Sequence, residues 1–336
     1  MQFEYTPPQT TFEEAFGGFN SINAFGPIAA GDDERFLDFL QKTQAPPRTP
    51  IYINSTGGDV ESSINIGRMV RDSWLSTNVG QYILDEDLSD ELTKKRKLLP
   101  ARCLSAATLI YLGGRLRYLN QDSEFGVHQF SFRNPSPRHL AQSQILSAKI
   151  ARYIVEMGIT SEFLEISSAT PSDEIEILSH DLLERLGVVT GGQTPVTWSI
   201  QAVEGALYVR GERDNLFGHH KMLLGFIKPR GFFVHAVIES QGREQELMTF
   251  PLVELVIGDN DSETIDISDR CDRKINGIYA NVSAYLDPEE ARQVAHSNAF
   301  GVRLRTTPDA PVFLGIGPMS TDGGGHLLQS FFLTLS

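Results

Sequence analysis

The segment Ile51-Tyr52-Ile53-Asn54-Ser55-Thr56-Gly57-Gly58 is a β-type run that ends in a double-glycine turn, and a helical stripe follows at once. From Asp59 to about Ser73, Val60, Ile64, Met69 and Val70 recur at helical spacing, and Val79 to Leu84 then reads as a strand. Strand, turn, helix, strand is the order a parallel pair demands, because parallel strands need a long crossover and a helix supplies it. The same order stands just upstream. Ile22, Ala24 and Phe25 lead through Gly26-Pro27-Ile28 and Gly31 to Asp32 or Asp33 as a helix cap. Phe36, Leu37, Phe39 and Leu40 form that helix's stripe, and Pro46-Pro47 breaks the chain before a strand at Pro50 to Asn54. This part of the chain is therefore expected to be α/β, built from β-α-β units.

Further along come a charged loop from Asp85 to Lys97, a small-residue helix led by Ser105, and a strand around Phe125 to Phe130. A long helix is expected from about Arg138 to Met157, on Leu140, Ile145, Leu146, Ile150, Ile154 and Val155. Ile175 to Leu178, a helix over Asp181 to Leu186, and Gly187-Val188-Val189 close the region. Thr190-Gly191-Gly192-Gln193-Thr194-Pro195 reads as a linker. Beyond it, short β-type runs recur between turn residues, with one expected helix, capped by Asp287 with Pro288 in its first turn. At 336 residues the chain is comfortable for two domains. The expected layout is a loose arm over 1–20, an α/β domain over 21–192 and a mainly β domain over 195–336.

Charge excludes one class of partner. The formal net charge is -14, and the single basic cluster, Lys94-Lys95-Arg96-Lys97, is preceded by Asp85, Glu86, Asp87, Asp90 and Glu91. It reads as a solvated stretch, so no nucleic-acid partner is expected. Two cysteines, Cys103 and Cys271, give neither a disulfide framework nor a structural zinc site. Asp259-Asn260-Asp261 starts like a calcium loop and loses the pattern, His219-His220 lacks a third ligand, and Gly323-Gly324-Gly325-His326 reads as a flexible connection. No metal and no cofactor are expected. Met1-Gln2-Phe3-Glu4-Tyr5 has no basic and apolar leader pattern, and no later run is long enough to span a bilayer. A cytoplasmic location is the expectation, or a periplasmic one if a leader has been removed, with no membrane partner.

The chemistry centres on Cys103-Leu104-Ser105-Ala106-Ala107-Thr108. A serine among small residues at a helix start can present its hydroxyl to open space, as a nucleophile must. The Gly57-Gly58 turn can offer backbone N–H groups, the N–H of Ala106 can offer another, and the helix start favours developing negative charge. His128, on a predicted strand 23 residues after Ser105, is the candidate base among eight histidines. His139 and His180 share the first region with it, and the other five fall in the second.

Asn54-Ser55-Thr56-Gly57-Gly58, the serine-led helix ending at Gly113-Gly114, and Gly126-Val127-His128-Gln129 together resemble the proteolytic subunit of Clp proteases, of the Clp/crotonase superfamily. The resemblance covers about Ser21 to Val189. It implies a Clp/crotonase-like domain in which Ser105 is the nucleophile of a serine peptidase, His128 the general base, and Gly58 with Ala106 the oxyanion donors. It places the family's aspartate on Ile175, which cannot orient an imidazole. Asp173 is then the candidate third member, with Glu174 as its rival and Glu176 next along, although Thr170, Pro171 and the acids behind them also read as an ordinary helix start. The chain resembles most closely a bacterial Clp-like group, many predicted periplasmic, with Cys-x-Ser-Ala-Cys around the nucleophile; here Ala107 stands at the second cysteine. A peptide or protein substrate and a homo-oligomer of stacked rings follow from the resemblance, whereas no docking motif for an unfoldase partner is recognisable. Two other readings remain open: a catalytically silent Clp-like scaffold or binding protein, and a crotonase-type acyl-CoA enzyme, which would need a carboxylate near the oxyanion turn.

Overall fold

The structure is a computed structural model and describes residues 1–16, 18–85, 92–131, 139–203, 205–259 and 263–336, with the side chains of 16 and 139–141 left out. Residues 86–91 of the charged loop, Arg138 at the start of the predicted long helix, and Asn260 with Asp261 lie outside the described residues. The chain divides into two compact units, 1–192 and 193–336. Together they form a mixed α/β protein with several sheets and ten helices among the described residues.

The first unit contains β1 (Gln2–Thr6), α1 (Thr11–Phe16), β2 (Ser21–Phe25), α2 (Asp32–Thr43), β3 (Pro50–Asn54), α3 (Val60–Asp72), β4 (Ser76–Val79), β5 (Gln81–Leu84), β6 (Arg96–Leu99), β7 (Arg102–Leu104), α4 (Ala107–Leu112), β8 (Arg117–Leu119), β9 (Glu124–Val127), α5 (His139–Glu156), α6 (Ser161–Ala169), β10 (Glu176–Ile177) and α7 (His180–Arg185). One sheet runs β1-β2-β3-β4-β8. From β2 to β8 its strands are parallel, as the crossover pattern requires. A second, three-stranded sheet runs β10-β9-β7, with β7 parallel and β10 antiparallel to β9. The two sheets touch where Ser55, just past β3, bridges to Cys103.

Side-chain patterns explain the layers. On β3, Ile51 and Ile53 alternate into the core, while Pro50, Tyr52 and Asn54 are only half covered. Asp59 caps α3 by accepting the N–H of Ser62 at 2.8 Å. All six residues of α4 are buried, the pattern of a helix inside a core. Space between α3 and α4 is so short that a Cβ on Gly113 would come within 2.1 Å of the Gly67 carbonyl oxygen.

The expected loose arm over 1–20 is instead structured: β1 pairs antiparallel with β2 along its whole length. Phe3 and Tyr5 pack on the core, and this burial holds a stretch whose prolines and polar residues suggested an arm. The predicted strand over Val79 to Leu84 takes in only the last residue of β4 and the whole of β5, which lie in different sheets. Thr170 does not start a helix. It ends α6, and residues 171–174 form a turn closed by the Glu174 N–H on the Pro171 carbonyl at 3.1 Å.

The second unit contains β11 (Thr197–Val203), β12 (Ala206–Asn215), β13 (Gly218–Ile227), β14 (Gly231–Glu239), α8 (Glu244–Thr249), β15 (Leu252–Ile257), β16 (Glu263–Asp266), β17 (Cys271–Asn276), β18 (Tyr279–Tyr285), α9 (Pro288–His296), β19 (Ala299–Arg305), β20 (Leu314–Ser320) and α10 (Gly325–Leu335). Its two antiparallel sheets run β11-β12-β13-β14-β18-β17 and β16-β15-β19-β20. On β14, Phe232, Val234, Ala236 and Ile238 alternate into the core with period two. Asp287 and Glu290 form the capping box that starts α9, with Pro288 at the first position. Among the described residues three helices occur here where one was expected. The Gly323–His326 stretch leads into α10 rather than forming a loose connection, and Gly324 lies under the Trp198 ring, where a Cβ would approach Cγ to 2.1 Å. Among the described residues no helix is long and apolar enough to cross a membrane.

Candidate functional site

Ser105 occupies the turn between β7 and α4 with φ at +56°. Left-handed backbone is uncommon for a residue with a Cβ, and the surroundings hold it there. Its N–H donates to Gly126 O at 2.9 Å, and its carbonyl accepts from the Thr108 N–H at 3.0 Å and from Thr108 Oγ1 at 2.6 Å. Behind the turn, the Ser55 N–H donates to Arg102 O at 2.7 Å and the Leu104 N–H to Ser55 O at 3.0 Å, so the end of β3 is tied to β7.

The glycine turn is thereby pressed against the serine. Gly57 donates its N–H to Ser55 Oγ at 3.1 Å, and a Cβ there would lie 2.8 Å from Ser105 Cβ and 3.0 Å from the Ala106 nitrogen. At Gly58, where a Cβ would strike Ile28 O at 2.0 Å, only glycine fits. The flanking groups are satisfied: Ile28 N–H bonds Gly57 O at 2.9 Å and Asp59 N–H bonds Ile28 O at 3.0 Å. The N–H groups of Gly58 and Ala106 have no hydrogen-bond acceptor among the described residues. Two idle donors beside a half-buried serine are what an incoming oxygen would need.

His128 follows β9 directly instead of lying on it. Its ring is half-buried, and Nδ1 is buried without a hydrogen-bond partner among the described residues. Ser105 and His128 line one cavity of about 390 Å³ with Leu109, Ile150, Ile154 and Phe163 as apolar wall and Ser147, Ser167 and Ser168 as hydroxyls. Apart from His128, no ionisable side chain lines it among the described residues. No hydrogen bond joins Ser105 to His128 in this structure. A neighbouring cavity of about 360 Å³ shares Val60 and Phe130 and brings in Gly58, Asp59 and the Glu61–Lys149 ion pair.

The expected acids stand elsewhere. Asp173 and Glu174 are exposed on the 171–174 turn, and neither lines the Ser105–His128 cavity. Glu176 lies nearer in the fold: its Cα pairs with that of Val127, the residue before His128. Its carboxylate accepts from Thr170 Oγ1 at 2.9 Å, and the Thr170 carbonyl accepts the Gln129 N–H at 2.9 Å. Thr170 was read only as a helix cap, and its place beside Gln129 depends on a pairing across 41 residues that no local pattern encodes.

Other sequence candidates resolve structurally. Cys103 is fully buried, and burial pushes its thiol far above the usual range, so it is no nucleophile. Arg96 of the basic cluster pairs with buried Glu13 at 2.8 Å. His219 and His220 lie near the start of β13, and His219 Nδ1 lies 3.2 Å from Asp214 Oδ1. No cluster of His, Cys, Asp and Glu that could hold a metal occurs among the described residues.

No family model matches the sequence, and no curated protein matches it. Among solved structures the chain is similar to ClpP1 from Listeria monocytogenes, at 19% identity and a TM-score of 0.37 over 50% of this chain and 88% of that one. A point mutant of the same protein gives 18% identity and a TM-score of 0.36, with the same coverage. Likeness at this level describes a loose correspondence of backbones and carries no chemistry.

Proposed function

We propose that the first unit is a serine hydrolase, with peptide or protein as its substrate. Ser105 Oγ attacks the acyl carbon while His128 takes its proton. The N–H groups of Gly58 and Ala106 receive the oxyanion, and water then releases the acyl group. The observation that carries this reading is the left-handed Ser105 turn with two unpaired N–H donors beside it and His128 in the same cavity. The lining suits an uncharged group next to the scissile bond. A homo-oligomer is part of the proposal and rests on the sequence resemblance alone.

A second reading has its own observation. The missing Ser105–His128 bond and the unpartnered Nδ1 would also suit a silent scaffold that binds peptides in the same cavity. Apo catalytic pairs are often loosely aligned, which keeps the hydrolase first. A fluorophosphonate probe decides between them. Wild type should be labelled covalently, and Ser105→Ala and His128→Ala should not. Folded wild type that resists the probe while still binding peptide establishes the scaffold instead.

A further inference from the structure

We infer that Thr170 and Glu176 are the positioning residues of His128, acting in series: Nδ1–H of His128 donates to Thr170 Oγ1, and the Thr170 hydroxyl donates to the Glu176 carboxylate. The inference rests on the hydrolase reading above and supplies its missing third part.

Three observations converge. First, His128 Nδ1 is buried and has no acceptor among the described residues. A ring nitrogen in that position needs a partner, and the partner fixes which tautomer presents Nε2 to the serine. Second, the residues on both sides of His128 are tied to the same segment. The Gln129 N–H bonds Thr170 O at 2.9 Å, and Val127 is the Cα partner of Glu176. Third, half of the series already exists, with Thr170 Oγ1 2.9 Å from Glu176 Oε2 and 3.2 Å from Ile166 O. Thr170 is 7% exposed, so little water competes for its hydroxyl.

Donor and acceptor counts balance. A threonine hydroxyl has one hydrogen and two lone pairs. It gives the hydrogen to Glu176 and keeps a lone pair for Nδ1–H, so a protonated His128 would feel the carboxylate's charge through one intervening hydroxyl. No proton leaves His128 toward Thr170; the series orients the ring and stabilises its cation. The Nδ1–Thr170 bond is not formed in this structure, and a turn of the His128 ring during serine activation would form it. Glu176 is exposed, as are Asp173 and Glu174 on the adjoining turn, and what singles it out is the bond it accepts from Thr170 Oγ1 at 2.9 Å.

The test is the second-order rate of fluorophosphonate labelling, with the melting temperature of each variant measured alongside. Thr170→Val keeps the shape and loses the hydroxyl, and its rate should fall about tenfold to a hundredfold, the scale of a lost acid–base orienter. Thr170→Ser keeps the hydroxyl and loses the methyl, and should restore most of the rate. Glu176→Gln should fall about tenfold, and the Val/Gln double variant no further than Thr170→Val alone, because the two act through one ring. Packing alone would order the threonine variants the other way, Val above Ser, and that order overturns the inference. So do Thr170→Val and Glu176→Gln rates equal to wild type while Ser105→Ala and His128→Ala abolish labelling, an outcome that leaves the hydrolase reading standing. Folded wild type that is never labelled overturns both.

Discussion

Replacing Gly57 with alanine separates the geometry of the site from the stability of the fold. Gly57 has φ at +97°, and the new Cβ would lie 2.8 Å from Ser105 Cβ, 2.9 Å from Leu104 O and 3.0 Å from Ala106 N. Carbon atoms in contact prefer about 3.5–4.0 Å, so roughly 1 Å of movement is forced on the serine turn or the glycine turn. Backbone strain at such a φ costs on the order of 1–3 kcal/mol. For a unit of this size that lowers its melting temperature by about 3–10 °C. The rate should suffer more, because a 1 Å misplacement of a reacting group costs about a hundredfold. Gly158→Ala is the control: φ is +75° there, with open space where the Cβ would go. It should show the backbone-strain loss of stability without the added cost of the clash, and keep its labelling rate. Differential scanning calorimetry and probe-labelling kinetics read the two quantities. Equal rate losses in both variants, or an undiminished rate in Gly57→Ala, would refute the close approach as the cause.

Two further outcomes test strain and charge. Ser105→Gly should be more stable than Ser105→Ala by about 1 kcal/mol, since only glycine adopts φ of +56° without cost; equal chemical denaturation midpoints would show that the turn stores no strain. Glu13 is held at about 2, against an ordinary 4.5, first by the Arg96 guanidinium and then, against the opposing effect of burial, by the N–H groups of Gln9 and Lys94. A carboxylate lowered in the folded state stabilises above its unfolded value and loses that contribution as pH falls through the folded one. Glu13→Gln should therefore be less stable than wild type by about 3 kcal/mol at neutral pH, with a gap that narrows between pH 4.5 and 2; a gap constant over that range, in thermal melts, contradicts the pairing.

The start of the parallel sheet was legible because β3 and α3 carry two distinct periods, two and then 3.6, separated by a glycine turn, whereas β4, with polar Ser76, Thr77 and Asn78, showed only its last residue. The serine turn was legible as residue types but not as conformation: nothing in Leu104-Ser105-Ala106 specifies φ of +56°, which comes from hydrogen bonds to Gly126 and Thr108. The 171–174 acids misled for a physical reason. Thr-Pro followed by carboxylates has the local chemistry of a helix start, and the end of α6 takes Thr170 first, sealing it with Ile166. Local propensity lost to the preceding helix, so the carboxylates face outward. Sequence ranks Glu176 only after Asp173 and Glu174, because its place depends on a cross-strand partner, Val127, 49 residues away. In the second unit, α8 and α10 were hidden by brevity and by three glycines.

Which half of the Ser105–His128 pair must adjust follows from what holds each. α4, which carries the serine turn, is pinned at its far end by two arginines, of which Arg117 is buried. Arg71 donates to Gly113 O at 2.9 Å and Gly114 O at 3.1 Å, and Arg117 donates to Gly114 O at 2.9 Å, Val188 O at 2.8 Å and Gly187 O at 2.7 Å. Burial lowers Arg117 only to about 10, so it stays charged at neutral pH, where a cation suits a helix C-terminus. Tyr153 Oη adds a bond to Leu109 O at 2.7 Å. Moving Ser105 would disturb all of these groups at once. His128 is held differently: Val127 before it pairs with Glu176 and the Gln129 N–H after it bonds Thr170 O, so its backbone is tied while its ring nitrogen Nδ1 has no partner among the described residues. On the proposed hydrolase reading, closing the pair would be a rotation of the imidazole toward the serine, and the proposed series would need that same rotation to bring Nδ1 to the Thr170 hydroxyl.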